Sequence, residues 1–191
     1  MVTVTECTTL GKGRLRFHLD NGTELVLYRG EAKQFRMREG STLSDEEEHQ
    51  LIYEVVGKRA KRRTMHLLEQ MDRTEQQLRE KLKQGGYPQA CIDLALEYVK
   101  SFHYVDDYRY ACTYINYRQD RMSRYQLKVK LYGKGVSGEL IDRALEECYE
   151  GDEQDQIIRL LEKKKFDAQN SDPKEFTRVY QYLMRLSLIH I

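Results

Sequence analysis

One segment of this chain occurs twice. Thr74 to Glu97 (TEQQLREKLKQGGYPQACIDLALE) matches Ser123 to Glu146 (SRYQLKVKLYGKGVSGELIDRALE) without a gap, at a constant offset of 49 residues (123 minus 74). The paired positions carry structural residue types: Leu78 with Leu127, Leu82 with Leu131, Gly86 with Gly135, Ile92 with Ile141, Ala95 with Ala144 and Leu96 with Leu145. Each copy therefore specifies the same supersecondary unit, and tandem units of this length read as a helical repeat protein. Such arrays bury a core between neighbouring units and offer a long face to a partner, which favours binding or regulation over a catalytic pocket.

The start and stop signals of the repeat agree with this. Thr74 with Gln77, and Ser123 with Gln126, have the spacing of capping boxes, in which a hydroxyl and a side-chain amide each satisfy an unpaired backbone donor. Leu78 and Leu82, like Leu127 and Leu131, lie four apart on one helical face. Gly86 and Gly135 then stand where a left-handed C-terminal cap is wanted. A further helix follows each glycine, with Pro88 placed in the first turn of the earlier one. Its buried stripe is expected to be Ile92, Ala95, Leu96 and Val99, matched by Ile141, Ala144, Leu145 and Cys148. Lys58 to Met71, with Met65, Leu68 and Met71, reads as the first helix of repeat one, and Asp107 to Asp120, with Tyr110, Ala111, Tyr114 and Ile115 inward, as that of repeat two. A third repeat is expected from Asp152, with Ile157, Ile158 and Leu161 on its first helix. Asp172-Pro173 opens its second, in which Val179 and Leu183 align with Leu127 and Leu131.

The first 43 residues have a different period. Val2 and Val4, then Leu15, Phe17 and Leu19 before Asp20-Asn21-Gly22, and Leu25 and Leu27 after it, alternate as strands do, and Asn21-Gly22 is the signature of a two-residue type I′ hairpin turn. Gly11-Lys12-Gly13 supplies the preceding turn of a small meander. It lacks the remaining spacing of a phosphate-binding loop. Ser44 and Glu47 form another capping box ahead of a linker helix, and Gly57 is expected to bend or interrupt that helix. The organisation expected is thus 1–43 β-rich extension, 44–57 linker helix, 58–105 and 106–151 repeats one and two, and 152–191 an incomplete third.

Composition narrows the function. Lys plus Arg number 32 against 31 Asp plus Glu, so affinity for nucleic acid must come from uneven placement of charge. From Arg109 to Lys134 seven bases (Arg109, Arg118, Arg121, Arg124, Lys128, Lys130, Lys134) meet one acid, Asp120. Lys58, Arg59, Lys61, Arg62 and Arg63 form a second cluster. Cys7, Cys91, Cys112 and Cys148 are widely spaced without CxxC, which reads as reduced structural thiols. The five histidines show neither HExxH nor a nucleophile partner, and no Walker motif is present, so no enzyme, metal or cofactor is expected. No signal peptide or membrane span is read, which places the chain in the cytoplasm.

Three segments, RTEQQLREKLKQGGYP, YVDDYRYACTYI and SRYQLKVKLYGKGVSGELIDRAL, closely resemble the RecX family of bacterial recombination regulators, over roughly residues 58 to 186. The family's Asp-Asp-x-Arg-aromatic-Ala signature stands here as Asp106, Asp107, Arg109, Tyr110 and Ala111, with tyrosine where phenylalanine is common. Asp106 and Asp107 read as cap and helix-dipole partners rather than as an acid or metal pair. The resemblance implies a mostly α fold of tandem three-helix repeats in an elongated, curved array. It also implies binding to RecA filaments on single-stranded DNA, with inhibition of ATP hydrolysis and strand exchange and consequences for DNA repair and the SOS response. The partners expected are the RecA nucleoprotein filament and, more weakly or indirectly, single-stranded DNA; a monomer is the expected state. The Arg109–Lys134 bases are candidates for the face that meets filament or phosphates, with Tyr117 and Tyr125 as base-stacking candidates. Leu186 to Ile191 (LSLIHI) departs from the family pattern of a closing helix and reads as non-native. Val179, Leu183 and Met184 are then expected to be less covered than their counterparts.

Overall fold

A computed structural model describes residues 1–167, 170–186 and 188. The strands β1 (Val2–Gly11), β2 (Arg14–Leu19) and β3 (Glu24–Tyr28) are followed by α1 (Arg29–Gln34), the short β4 (Thr42–Leu43) and α2 (Asp45–His49). A π-helical segment, Gln50–Val56, joins α2 to α3 (Gly57–Gln70). Then come α4 (Glu75–Gln84), α5 (Gln89–Ser101), α6 (Asp107–Arg118), α7 (Arg124–Tyr132), α8 (Gly138–Cys148), α9 (Glu153–Lys163) and α10 (Pro173–Arg185). The two tandem three-helix domains are α3–α5 and α6–α8. The chain divides into two compact units, Met1–Asp106 and Asp107–Ile191.

In the first unit the antiparallel sheet has the order β3-β2-β1-β4. The tight I′ turn stands at Lys12-Gly13, where Gly11 pairs with Arg14 and both central residues have positive φ (52° and 73°). Asn21-Gly22 does otherwise. Only Gly22 is left-handed (φ 81°), its N–H donates to the Leu19 carbonyl and the Leu19 N–H to Thr23, giving a three-residue loop ending in a left-handed glycine. The Asn21 side chain accepts from the Thr23 N–H and so stabilises that loop locally.

Strand alternation buries Phe17, Leu19, Leu25 and Leu27, yet Val26 on the opposite face of β3 is buried too. Its cover is the turn between α4 and α5: a Cβ placed on Gly86 would lie 2.4 Å from Val26 Cγ2. Sheet, linker helix and α3–α5 thus share one core, in which Phe17, Leu43, Leu51, Leu78, Leu82 and Ile92 are fully enclosed. Gly86 has φ 76° and Gly135 φ 83°, the left-handed cap conformation expected of them. Ser44, Thr74 and Ser123 each accept from the backbone N–H three residues on, completing all three capping boxes.

Several expectations are corrected. Gly57 does not interrupt its helix; its φ and ψ are helical, and its N–H reaches five residues back to the Ile52 carbonyl, which closes the π turn. The missing side chain leaves room for Leu94, whose Cδ2 would stand 2.8 Å from a Cβ. On α3 the buried positions are Ala60, Thr64 and Leu67, whereas Met65 and Leu68 are half-buried and Met71, beyond the helix, is exposed. Small residues let α5 come close, and hydrophobicity alone does not flag Ala or Thr as core. Pro88 is the N-cap rather than the first helical residue. On α9, Ile157, Leu160 and Leu161 pack inward and Ile158 is exposed. Tyr110 and Tyr114 are half-buried and stacked on each other (6.4 Å) beside buried Ala111 and Ile115.

The last cluster of the second unit holds Val179, Leu183 and Leu188. Val179 and Leu183 keep 8% and 4% exposure where Leu127 and Leu131 have none, and Met184 is half-buried. Of the LSLIHI segment, residues 187 and 189–191 lie outside the described residues. Leu188 donates its N–H to the Leu183 carbonyl and so caps α10.

Gly86→Ala incurs both left-handed strain and a collision with Val26, while Gly40→Ala at φ 76° meets nothing within 4 Å. Urea unfolding should show a loss of about 1 kcal/mol for Gly40→Ala and about 2–4 kcal/mol for Gly86→Ala. Equal losses would mean that the sheet does not press on the repeat.

Candidate functional site

The sequence-contiguous bases of the second unit do not share one face. Arg109 and Arg118 are nine residues apart on α6, about half a turn from each other at 100° per residue. On α7, Arg124 and Lys128 lie on one flank of the buried Leu127–Leu131 stripe, and Lys130 on the other. Several of these charges are already engaged. Lys128 pairs with Asp142 of α8 (2.5 Å), the repeat counterpart of Arg79 with Asp93 (2.7 Å) in the first unit, each 49 residues earlier. The Arg118 guanidinium lies 5.6 Å from the Tyr114 ring centre, and Lys134 Nζ lies 5.3 Å from Tyr114 and 6.0 Å from Tyr110. Asp106 and Arg109 are exposed, and Asp107 opens α6 half-buried. Tyr117 is the more open stacking candidate, 82% exposed against 55% for Tyr125.

Arg121 is the member that gains company. It lines a crevice of about 520 Å³ with Arg159 and Lys163 from α9, where Asp120 is the lining carboxylate. A neighbouring groove shares Arg121, Gln126 and Leu186 with it and adds Lys130 and Arg185. The turn bearing Arg121 is fixed from below: the buried Gln156 side chain donates to the carbonyls of Gln119 (2.5 Å) and Met122 (3.4 Å). Ser123, besides capping α7, donates its hydroxyl to the Leu186 carbonyl (2.9 Å) and holds the end of α10 against α7. Arg159, Lys163 and Arg185 were not candidates from sequence. Arg159 and Lys163 are four apart and so share a helical flank, but nothing in chain order ties them to Arg121.

The second basic cluster also divides. Arg59 is built into the first unit: it pairs with Glu31, donates to the Val26 carbonyl on the edge of β3, and lies 5.1 Å and 5.6 Å from the Tyr28 and Tyr87 ring centres. Its side chain and that of Glu31 are each 21% exposed. Lys58 pairs with Glu54 (3.6 Å) and Lys61 stands 5.1 Å over Tyr98. Arg62 and Arg63 are exposed.

The ionisation shifts read as structural. The Arg79 guanidinium holds the Asp93 carboxyl below its usual range, helped by Gln89. Burial pushes Glu75 up, but Lys100 and Arg79 beside it outweigh this and its pKa falls. Burial raises the Cys91 thiol to about 12, and its Sγ donates to the Ile52 carbonyl at the π turn (3.2 Å). Burial, with Cys112 alongside, raises Cys148 to about 11. Both are thiols rather than thiolates near neutral pH and poor nucleophiles. Among the described residues no three His, Cys, Asp or Glu side chains gather as metal ligands, and no helix is long and apolar enough to cross a membrane.

Arg59→Ala should cost about 2 kcal/mol in urea unfolding, because it leaves Glu31 and the Val26 carbonyl without their partner, whereas Arg62→Ala should stay within about 0.5 kcal/mol. Asp93 and Glu75, with pKa values depressed on folding, stabilise the first unit above the ordinary carboxylate range and cease to do so as pH falls through their folded values. Arg79→Met should therefore flatten the fall of the unfolding midpoint between about pH 5 and pH 3, by less than about 1 kcal/mol for these half-buried, solvent-screened pairs.

Comparison with known proteins matches residues 60–98 to the RecX first three-helix domain and residues 106–145 to the RecX second three-helix domain. The regulatory protein RecX of Caldanaerobacter subterraneus subsp. tengcongensis is 30% identical over 149 residues, 77% of this chain and 73% of that protein. That of Geobacillus kaustophilus is 32% identical over 161 residues, 82% of this chain but only 60% of the relative's own length. Among solved structures, a crystal structure of regulatory protein RecX aligns over 97% of this chain and 93% of its own with a TM-score of 0.60 at 19% identity. RecX from Lactobacillus salivarius aligns over 69% of this chain and 87% of its own with a TM-score of 0.59 at 16% identity. The two matched three-helix domains and the identity to these relatives establish that this chain belongs to the RecX family of regulatory proteins.

Proposed function

We propose that this chain is a non-enzymatic regulator that binds RecA filaments on single-stranded DNA and restrains their ATP hydrolysis and strand exchange, and so modulates recombination and the SOS response. It acts as a cytoplasmic monomer. Family membership supports a regulatory role, and the observation that carries the reading further is the crevice that brings Arg121, Arg159 and Lys163 together. Three cations converging on one concave surface attract a polyanion, and the attraction weakens with salt as counterions are no longer released to advantage. The chain then works by differential binding: it favours the filament geometry that it fits and needs no reaction of its own. Tyr117, exposed at the end of α6, is the aromatic group best placed for a base or a partner side chain.

The test is RecA's ATPase on circular single-stranded DNA. The chain should inhibit it at concentrations below that of RecA, and Arg159→Glu with Lys163→Glu should raise the half-inhibiting concentration about tenfold with helicity unchanged. An ATPase indifferent to the wild-type chain overturns the proposal. If single-stranded DNA is bound equally well without RecA, the chain is instead a stand-alone DNA-binding module.

A further inference from the structure

The groove between α7 and the end of α10 has a different character from the cationic crevice beside it. Its volume is about 360 Å³, and its floor is formed by Met122, Tyr125, Val129 and Leu186. Tyr125 and Val129 are 55% and 50% exposed. Arg121, Lys130 and Arg185 stand around it, and no Asp or Glu lines it. Among the described residues none of these three cations has a carboxylate partner.

The repeat supplies its own control. At the positions of Tyr125 and Val129, 49 residues earlier, α4 carries Gln76 and Glu80, and the position of Arg121 is held by Asp72. The three-helix domain folds with those residues, so Tyr125, Val129 and Arg121 are not requirements of the fold; Lys130 has its counterpart in Lys81, and Arg185 lies outside the repeated segment.

We propose that this groove is a docking site for an acidic peptide segment bearing one or two apolar anchor residues. Of the four floor residues three are aliphatic and one aromatic, whereas a nucleic-acid strand calls for flat aromatic platforms along its length. Guanidinium and ammonium groups around an apolar pocket match carboxylates flanking an apolar anchor, which gives register as well as attraction. The inference goes beyond the filament reading, since neither RecA nor DNA is needed for it to hold.

A fluorescein-labelled short peptide of alternating Asp and Glu with a central Leu-Phe pair, titrated with the chain at physiological salt, reads the interaction by anisotropy. The peptide should bind saturably, and replacing Leu-Phe by Ala-Ala should weaken binding about tenfold. Tyr125→Gln with Val129→Glu, which installs the residues of α4, should weaken it at least as much while leaving the thermal unfolding curve in place; Arg185→Glu should do likewise. Failure of the peptide to bind, or binding indifferent to the anchor and to these substitutions, overturns the proposal. Equal displacement by oligothymidylate of matched charge, with the Tyr125 and Val129 changes affecting neither ligand, also overturns it and marks a general polyanion surface.

Discussion

Each three-helix domain depends on a buried hydroxyl. Thr74 and Ser123 are almost fully enclosed, and a buried oxygen of this kind must find partners or impose a cost of about 1–3 kcal/mol. Both find them in the backbone of the helix they begin, and the reciprocal amide of Gln77 or Gln126 completes the arrangement. This fixes where the middle helix starts. The two leucines four apart are thereby aimed inward, and the left-handed glycine after them turns the chain into the third helix. In the second domain the hydroxyl of Ser123 has a further role, because it also donates to the Leu186 carbonyl and so links the end of α10 to the start of α7. One local motif thus sets both the inside of a domain and its connection to the next element.

What was legible in the sequence was local or periodic. Caps, left-handed glycines and the stripes of α5 and α8 follow from residues within a turn or two of each other. The misjudged features depend on partners distant in the chain. Val26 looked like the outward residue of a strand because nothing nearby indicates that the α4–α5 turn covers it. Arg59 looked like one base of a solvated run, yet β3 and α1 supply its acceptor and its counter-ion. Asn21-Gly22 does not form the type I′ turn expected of it, and Asn21 has a local alternative: its side chain accepts the Thr23 N–H. For the candidate site, Arg121 was legible and its companions on α9 and α10 were not, since their proximity is tertiary.

Charge in this chain divides between holding and receiving. Lys128–Asp142 repeats Arg79–Asp93, so a residue that seemed part of a binding face has an inherited bracing task. Arg118 and Lys134 lie over tyrosine rings and are partly committed as well. Arg121, Arg159, Lys163 and Arg185 line the crevice and groove where α9 and α10 meet α7. Duplication separates part of the pattern: the Arg79–Asp93 and Lys128–Asp142 brace is common to both copies, whereas Arg121, Tyr125 and Val129 have Asp72, Gln76 and Glu80 at the equivalent positions.

The π turn at Gln50–Val56 has a geometric consequence for the long linker helix. Its core-facing residues Ile52, Val56, Ala60 and Thr64 recur every four positions, and in a regular α-helix that spacing winds steadily around the axis, by about 40° per step. A wider turn lags where the α-helix runs ahead, so one π segment resets the phase and keeps the stripe parallel to the surface it packs on. The Ile52 carbonyl drawn out by that widening is the one that receives the Cys91 thiol. The extra residue therefore works as a spacer in angle rather than in length, and it lets one continuous helical run serve both the sheet at one end and a helical domain at the other.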